Sequence, residues 1–159
     1  MAKAANGVPE GFHTITPQLV LDNAAQTIDW YVKAFGAKEI SRSAGPDGKI
    51  MHAELAIGNS RFMVSDAVMG AKGPQAFGGS PASLWLYVDD SDALFKRAVD
   101  AGAKVQMPIA DQFWGDRSGR IEDPFGNRWS LATHVEDVSP KKLKKRMAKQ
   151  AQADAAPAN

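Results

Sequence analysis

Apolar and polar residues alternate along several short stretches of this chain, and helical spacing separates them. Thr14 to Leu21 alternates and runs into Asp22-Asn23, a helix-capping pair. Ala25, Ile28, Val32 and Phe35 then recur at the spacing of one helical stripe, and Gly36 stands where a left-handed C-terminal residue belongs. Strands are expected near 37–43, 49–57 and 61–66, with Gly45-Pro46-Asp47-Gly48 as a turn. The glycine- and proline-rich stretch from Met69 to Pro81 reads as a linker. The order then repeats: a strand at Ser83–Val88, a helix at 92–101 capped by Asp90 or Ser91, and strands at 103–107, 117–123 and 128–134. A further helix is expected at 140–150, followed by a low-complexity, disordered tail at 151–159.

The repeat is visible in the residues themselves. Leu19-Val20-Leu21-Asp22-Asn23 leads to Phe35-Gly36-Ala37-Lys38, and Leu86-Tyr87-Val88-Asp89-Asp90 leads to Ala101-Gly102-Ala103-Lys104. A Gly-Asn turn closes each half, at Gly58-Asn59 and Gly126-Asn127. Self-similarity at this interval marks a duplicated supersecondary unit, strand–helix–three strands. The fold class is therefore α+β, two βαβββ modules with a C-terminal helix. The expected organisation is an extension at 1–12, modules at 13–68 and 82–138, and a basic helix and tail at 139–159.

Side chains on a strand alternate between faces. One face should carry Ile15, Leu19, Leu21, Met51, Ala53, Leu55, Ile57, Phe62, Val64, Leu84, Leu86, Val88, Trp129 and Leu131, covered by helices. The other carries Thr14, Thr16, Gln18, His52, Glu54, Arg61, Met63, Ser65, Ser83, Trp85, Tyr87, Arg120, Glu122, Arg128 and Ser130. The second face is polar with aromatic patches.

Composition narrows the picture. The chain has 159 residues, enough for one domain with a sizeable core, and no apolar run long enough to span a membrane. Met1 to Gly7 has no apolar signal core, and there is no cysteine, so a cytoplasmic, reducing setting is expected, without disulfides or thiolate metal sites. The net charge of +1 conceals an asymmetry. Lys141, Lys142, Lys144, Lys145, Arg146 and Lys149 crowd one stretch, and the remainder holds 13 basic against 18 acidic residues. A nucleic-acid binder would want a basic body with aromatics nearby, so none is expected.

The stretch Gly115-Asp116-Arg117-Ser118-Gly119-Arg120-Ile121-Glu122-Asp123-Pro124-Phe125-Gly126-Asn127-Arg128-Trp129-Ser130-Leu131-Ala132-Thr133-His134, with Ala25 to Tyr31 and Phe35-Gly36-Ala37, resembles the vicinal oxygen chelate superfamily. That superfamily includes glyoxalase I, bleomycin-resistance proteins and extradiol dioxygenases; the PhnB-like branch is the nearest in look. The resemblance covers about residues 13–138. It implies an open, cupped mixed sheet, a ligand inside the cup and a homodimer, while the modules pair either within one chain or between two. Free sheet edges and the prevalence of twofold assemblies favour the dimer as well.

Metal-dependent relatives place a ligand on the first and last strand of each module. The resemblance maps these onto Thr16, Met63, Ser83 and Ser130 here. Hydroxyls and a thioether are poor ligands for a divalent ion, so neither metal nor other cofactor is expected. His52 and Glu54, two apart on one strand, are candidate acid–base residues, and the repeat pairs them with Arg120 and Glu122. The four form an ion-pair network, a binding or catalytic set, or a two-ligand metal site. Gln18, Trp85, Tyr87, Trp114, Arg120 and Glu122 are candidate ligand contacts, the aromatics by stacking. Trp114 beside Asp116-Arg117 either closes over a ligand or belongs to an ion-paired turn. His13 and His134 read as surface residues.

Three functions compete. One is a metal-free protein that binds a planar or cationic small molecule, favoured by the acidic body and the aromatics. Another is an isomerase- or lyase-type enzyme using His52 and Glu54, with Arg120 as anion anchor. The third is a dimeric scaffold or regulator with a vestigial cup.

Overall fold

Strand formation follows the alternation, and each helix starts at a side chain that satisfies its free N–H groups. The computed structural model describes residues 6–155, so the last four positions of the expected tail lie outside it. In the first module β1 (Gln18–Leu21) leads into α1 (Ala24–Phe35), then β2 (Lys38–Ala44), β3 (Ile50–Ile57) and β4 (Ser60–Asp66). The second module repeats this with β5 (Ser83–Tyr87), α2 (Ser91–Asp100), β6 (Lys104–Asp111), β7 (Asp116–Glu122) and β8 (Arg128–His134). A short 3₁₀ turn, Pro74–Phe77, lies in the linker, and α3 (Pro140–Ala155) follows the second module. Residues 151–155 are therefore helical, where a tail was expected.

The strands form two open, mixed four-stranded sheets, ordered β1-β4-β3-β2 and β5-β8-β7-β6. In each, the first strand runs parallel to the last and the other pairs are antiparallel. The two-module α+β architecture read from the repeat is thus the observed one. Registers match across the repeat: Gln18 stands beside Met63, and Trp85 beside Ser130.

Helix starts match too. Asn23 caps α1 through Gln26 N (3.3 Å) and Asp90 caps α2 through Ala93 N (2.9 Å). The end of each last strand also holds its helix. Asp66 Oδ1 accepts from Ala24 N (2.8 Å), and at the matching place Thr133 Oγ1 accepts from Ser91 N (2.9 Å). The other Asp66 oxygen accepts from Ile50 N (2.7 Å), which draws β3 into the same junction.

The core lies between helices and sheets and continues between the modules. Trp129 packs against Phe35 (4.8 Å), Tyr31 (5.4 Å) and Phe62 (6.4 Å) of the other module. Trp30 Nε1 donates to Ala101 O (2.8 Å), and Arg97 Nε to Ala34 O (2.9 Å). Sandwiched in this way, α1 buries Ala24, Thr27, Ile28, Trp30, Tyr31, Ala34 and Phe35. The stripe expected along Ala25 and Val32 is rotated, and Val32 is 44% exposed, because the second module claims the Trp30–Tyr31 side. Two strand residues expected inside are also outside. Ile15 precedes β1, which begins only after Pro17, and Met51 sits at an irregular register where Ile50 turns in instead.

Helix α3 is tethered rather than packed. Glu136 takes Lys142 and Arg146, the latter at 2.8 Å, and Arg146 reaches Phe113 O at 3.3 Å. Among the described residues no helix is long and apolar enough to cross a membrane.

Candidate functional site

The uncovered face of the second sheet presents two adjacent rows of side chains. Across β5, β8, β7 and β6 one row reads Trp85, Ser130, Arg120, Met107 and the next reads Ser83, Arg128, Glu122, Lys104. Trp85, Met107, Arg120, Arg128 and Ser130 line one open hollow of about 540 Å³, within the size range of small-molecule sites. Ser130 forms its floor: its hydroxyl is buried and has no hydrogen-bond partner. A buried, unpaired hydroxyl is uncommon in a folded protein and calls for an explanation. Trp85 (44% exposed) and Tyr87 (58% exposed) stack on each other at 5.8 Å and 27°.

Beyond Tyr87 the same face ends in a polar knot around Asp116, which is buried. Its carboxylate accepts from the Tyr87 hydroxyl (3.0 Å) and Trp114 Nε1 (2.9 Å), and meets His134 Nδ1 at 2.8 Å. The other imidazole nitrogen, Nε2, faces Asp137 at 3.0 Å. A carboxylate at each nitrogen favours the imidazolium form, which alone donates from both. Hydrogen bonding to Asp116 and then Asp137 raises the His134 pKa above its ordinary value. Burial works to raise the Asp116 carboxyl, but its three donors outweigh burial and lower it. Burial first, and then Asp116, raises the Tyr87 hydroxyl.

The knot bears on two expectations. His134 is exposed at the end of β8, in keeping with a surface residue, and its pairing with Asp116 was not indicated by that position. Asp116 and Arg117 do not pair with each other, although the turn is ion-paired across its base. Arg117 instead bridges Asp92 (2.5 and 2.7 Å) on α2 and Asp111 (3.0 Å) on β6. Trp114, its indole N–H spent on Asp116, packs edge-on against Phe113 and does not line the hollow.

On the first sheet His52 Nε2 lies 3.6 Å from Glu54 Oε1, and Arg61 Nη1 lies 3.5 Å from the other Glu54 oxygen. The Arg61 guanidinium also sits over the Phe12 ring, 5.3 Å from its centre. Gln18 and Met63 flank this group. The register moves the expected correspondence by two residues. Glu54 stands opposite Met63 as Arg120 stands opposite Ser130, so Glu54 matches Arg120, while Arg61 matches Arg128. The hairpin turns differ in length, two residues between paired Ile57 and Ser60 but more between Glu122 and Arg128, so aligning the two Gly-Asn pairs misplaces the strands. His52 and Glu54 do not meet Arg120 and Glu122 within the chain; each pair stands on its own sheet.

The four positions matched to a metal centre do not fit one. Thr16 spends its hydroxyl on His13 O (3.0 Å), and Met63, Ser83 and Ser130 offer a thioether and two hydroxyls.

A model of the Glyoxalase/Bleomycin resistance protein/Dioxygenase superfamily matches residues 11–131. Rv0887c, an uncharacterized protein of Mycobacterium tuberculosis strain H37Rv, is 45% identical over 141 residues, 86% of this chain and 83% of that one. The PhnB protein from Bacillus cereus superposes with a TM-score of 0.61 at 20% identity, covering 76% of this chain and 99% of that one. TnmS3, an antibiotic binding protein from Streptomyces sp. CB03234, has a TM-score of 0.59 at 20% identity, covering 84% and 100%. The last two likenesses are of fold. Module repeat, sheet order and family match agree: the chain belongs to the glyoxalase/bleomycin resistance/dioxygenase superfamily.

Proposed function

We propose that the protein binds a small molecule on the uncovered sheet face and holds it without a metal ion, in a cytoplasmic setting. The observation that carries this reading is the hollow beside the exposed Trp85–Tyr87 stack, with the unpaired Ser130 hydroxyl at its floor. Leaving two large aromatics in water forgoes their burial, and a planar ligand against them would recover it. TnmS3, an antibiotic binding protein, shares the fold, which supports small-molecule binding as a use of it. The donor set at the four superfamily metal positions speaks for binding without an ion.

A ligand bound only by the folded state raises the melting temperature by mass action. In a thermal-shift screen of planar compounds, some should raise the midpoint of the native protein, and Trp85→Ala should lose most of that rise while keeping its own unliganded midpoint within a few degrees. A stoichiometric Zn, Ni, Mn or Fe content in purified protein would defeat the metal-free reading.

A second reading is supported by the His52–Glu54 approach of 3.6 Å, which places a proton acceptor beside a carboxylate on one strand. Arg61 competes for the same carboxylate at 3.5 Å, which favours an ion-pair cluster over a free base. Turnover of a glyoxal- or epoxide-type substrate that disappears in His52→Ala would establish the enzyme instead.

A further inference from the structure

The two modules differ at one matched pair of positions, and the difference is electrostatic. On the first sheet the guanidinium of Arg61 lies beside the carboxylate of Glu54. On the second sheet the matching residues are Arg128 and Arg120. An ion pair on the diagonal of one sheet is thus replaced by two like charges on the diagonal of the other, an arrangement that costs stability when nothing neutralises it. Among the described residues neither Arg120 nor Arg128 has an ion-pair or side-chain hydrogen-bond partner. Glu122 stands across from Arg128 in register, but the cation near it is Lys104, with Nζ at 3.9 Å. No carboxylate lines the hollow. Its floor is the Ser130 hydroxyl, 1% exposed as a residue and without an acceptor for its proton.

We infer that Arg120, Arg128 and Ser130 form an oxyanion-binding site, and that the ligand is a planar molecule carrying a carboxylate-, sulfate- or phosphate-type group. The inference deepens the small-molecule reading above and rests on it. It also reverses the cationic ligand that the acidic body of the chain favours, because the local lining and not the overall charge sets the potential in a hollow. Guanidinium groups present forked N–H donors matched to oxyanions. The Ser130 hydroxyl supplies a further donor from below. Trp85, next to Ser130 in the same row, offers a face for the ring.

Calorimetric titration of the full chain with three naphthalenes tests this: 2-naphthoate, 2-naphthyl phosphate and 2-naphthylmethylammonium. Both anions should bind at least about tenfold more tightly than the cation in dilute buffer, and added salt should shrink that margin. The tighter of the two anions identifies the oxyanion. Arg120→Gln and Arg128→Gln should each weaken anion binding about three- to fivefold, the size of a partly exposed ion pair, and the double variant about tenfold. Ser130→Ala should weaken the anions alone. All should keep the native circular dichroism spectrum.

Equal binding of cation and anions, or anion affinity unmoved in the arginine double variant, overturns the oxyanion site. If Trp85→Ala then weakens all three ligands alike, the small-molecule reading survives without it. Failure of all three to bind up to their solubility limits removes both.

Discussion

Asp123 is 1% exposed, and its two oxygens collect the donors that join the modules. One oxygen accepts from the Tyr31 hydroxyl (2.8 Å) and Trp129 Nε1 (3.1 Å); the other accepts from the backbone N–H groups of Phe125 (3.0 Å) and Asn127 (2.9 Å). The Asn127 side-chain amide adds a donor to Asp123 at 3.1 Å and another to the Tyr31 oxygen at 3.2 Å. A buried charge is tolerable only when so fully hydrogen-bonded. Tyr31, from the first module, lies between two groups of the second, and burial followed by the Asp123 charge raises its pKa well above the ordinary value. Tyr31→Phe keeps the ring packing and removes the bridge. It should lower unfolding free energy by about 1–2 kcal/mol, the usual cost of unpairing buried polar groups. Urea denaturation with an unchanged slope would read this directly, and a loss below about 0.5 kcal/mol would mean the bridge contributes little.

At the scale of elements, alternation and capping residues located the eight strands and three α-helices but not the 3₁₀ turn at Pro74–Phe77, and most of these elements carry a buried face written in their own period. Departures came from contacts between elements. Pro17 limits β1 to Gln18–Leu21, whereas Pro108 does not end β6, because β6 is an edge strand with irregular pairing between Met107 and Ala110. The placement of Trp85, Tyr87, Arg120 and Ser130 on one face was legible from parity alone. That Arg128 lacks a partner was not, since a pairing exists only once registers are known.

The link from β8 to the segment before α3 was equally hidden, and its pH behaviour is testable. His134 joins Asp116 of β7 to Asp137. Its pKa is higher in the folded state than the ordinary 6.5, so its contribution is complete below that value and is lost as pH rises through the folded one. Denaturation midpoints should therefore fall as pH rises above 6.5, and His134→Gln should flatten the fall relative to the native chain. His13 and His52 remain in both proteins, so the difference isolates His134. An identical slope in the variant would dissociate His134 from the effect.

At the scale of the molecule, among the described residues β1 hydrogen-bonds only to β4 and β5 only to β8, so each module leaves its first strand as an open edge. Exposed apolar side chains gather beside those edges: Ile15 at 86%, Trp85 at 44% and Tyr87 at 58%. Open edges flanked by apolar surface invite strand pairing with another chain unless something covers them. A twofold partner would satisfy both first strands at once, and it would bring the His52–Glu54–Arg61 group of one chain toward the arginine pair of the other. The expected species is therefore a homodimer of twice the 17.0 kDa chain mass. Sedimentation equilibrium at micromolar concentration should give that mass, and dilution should speed hydrogen exchange at the β1 and β5 amides before any other strand. A monomer across the whole concentration range, with first-strand exchange independent of dilution, would show that these edges stay open and that each sheet must hold its ligand alone.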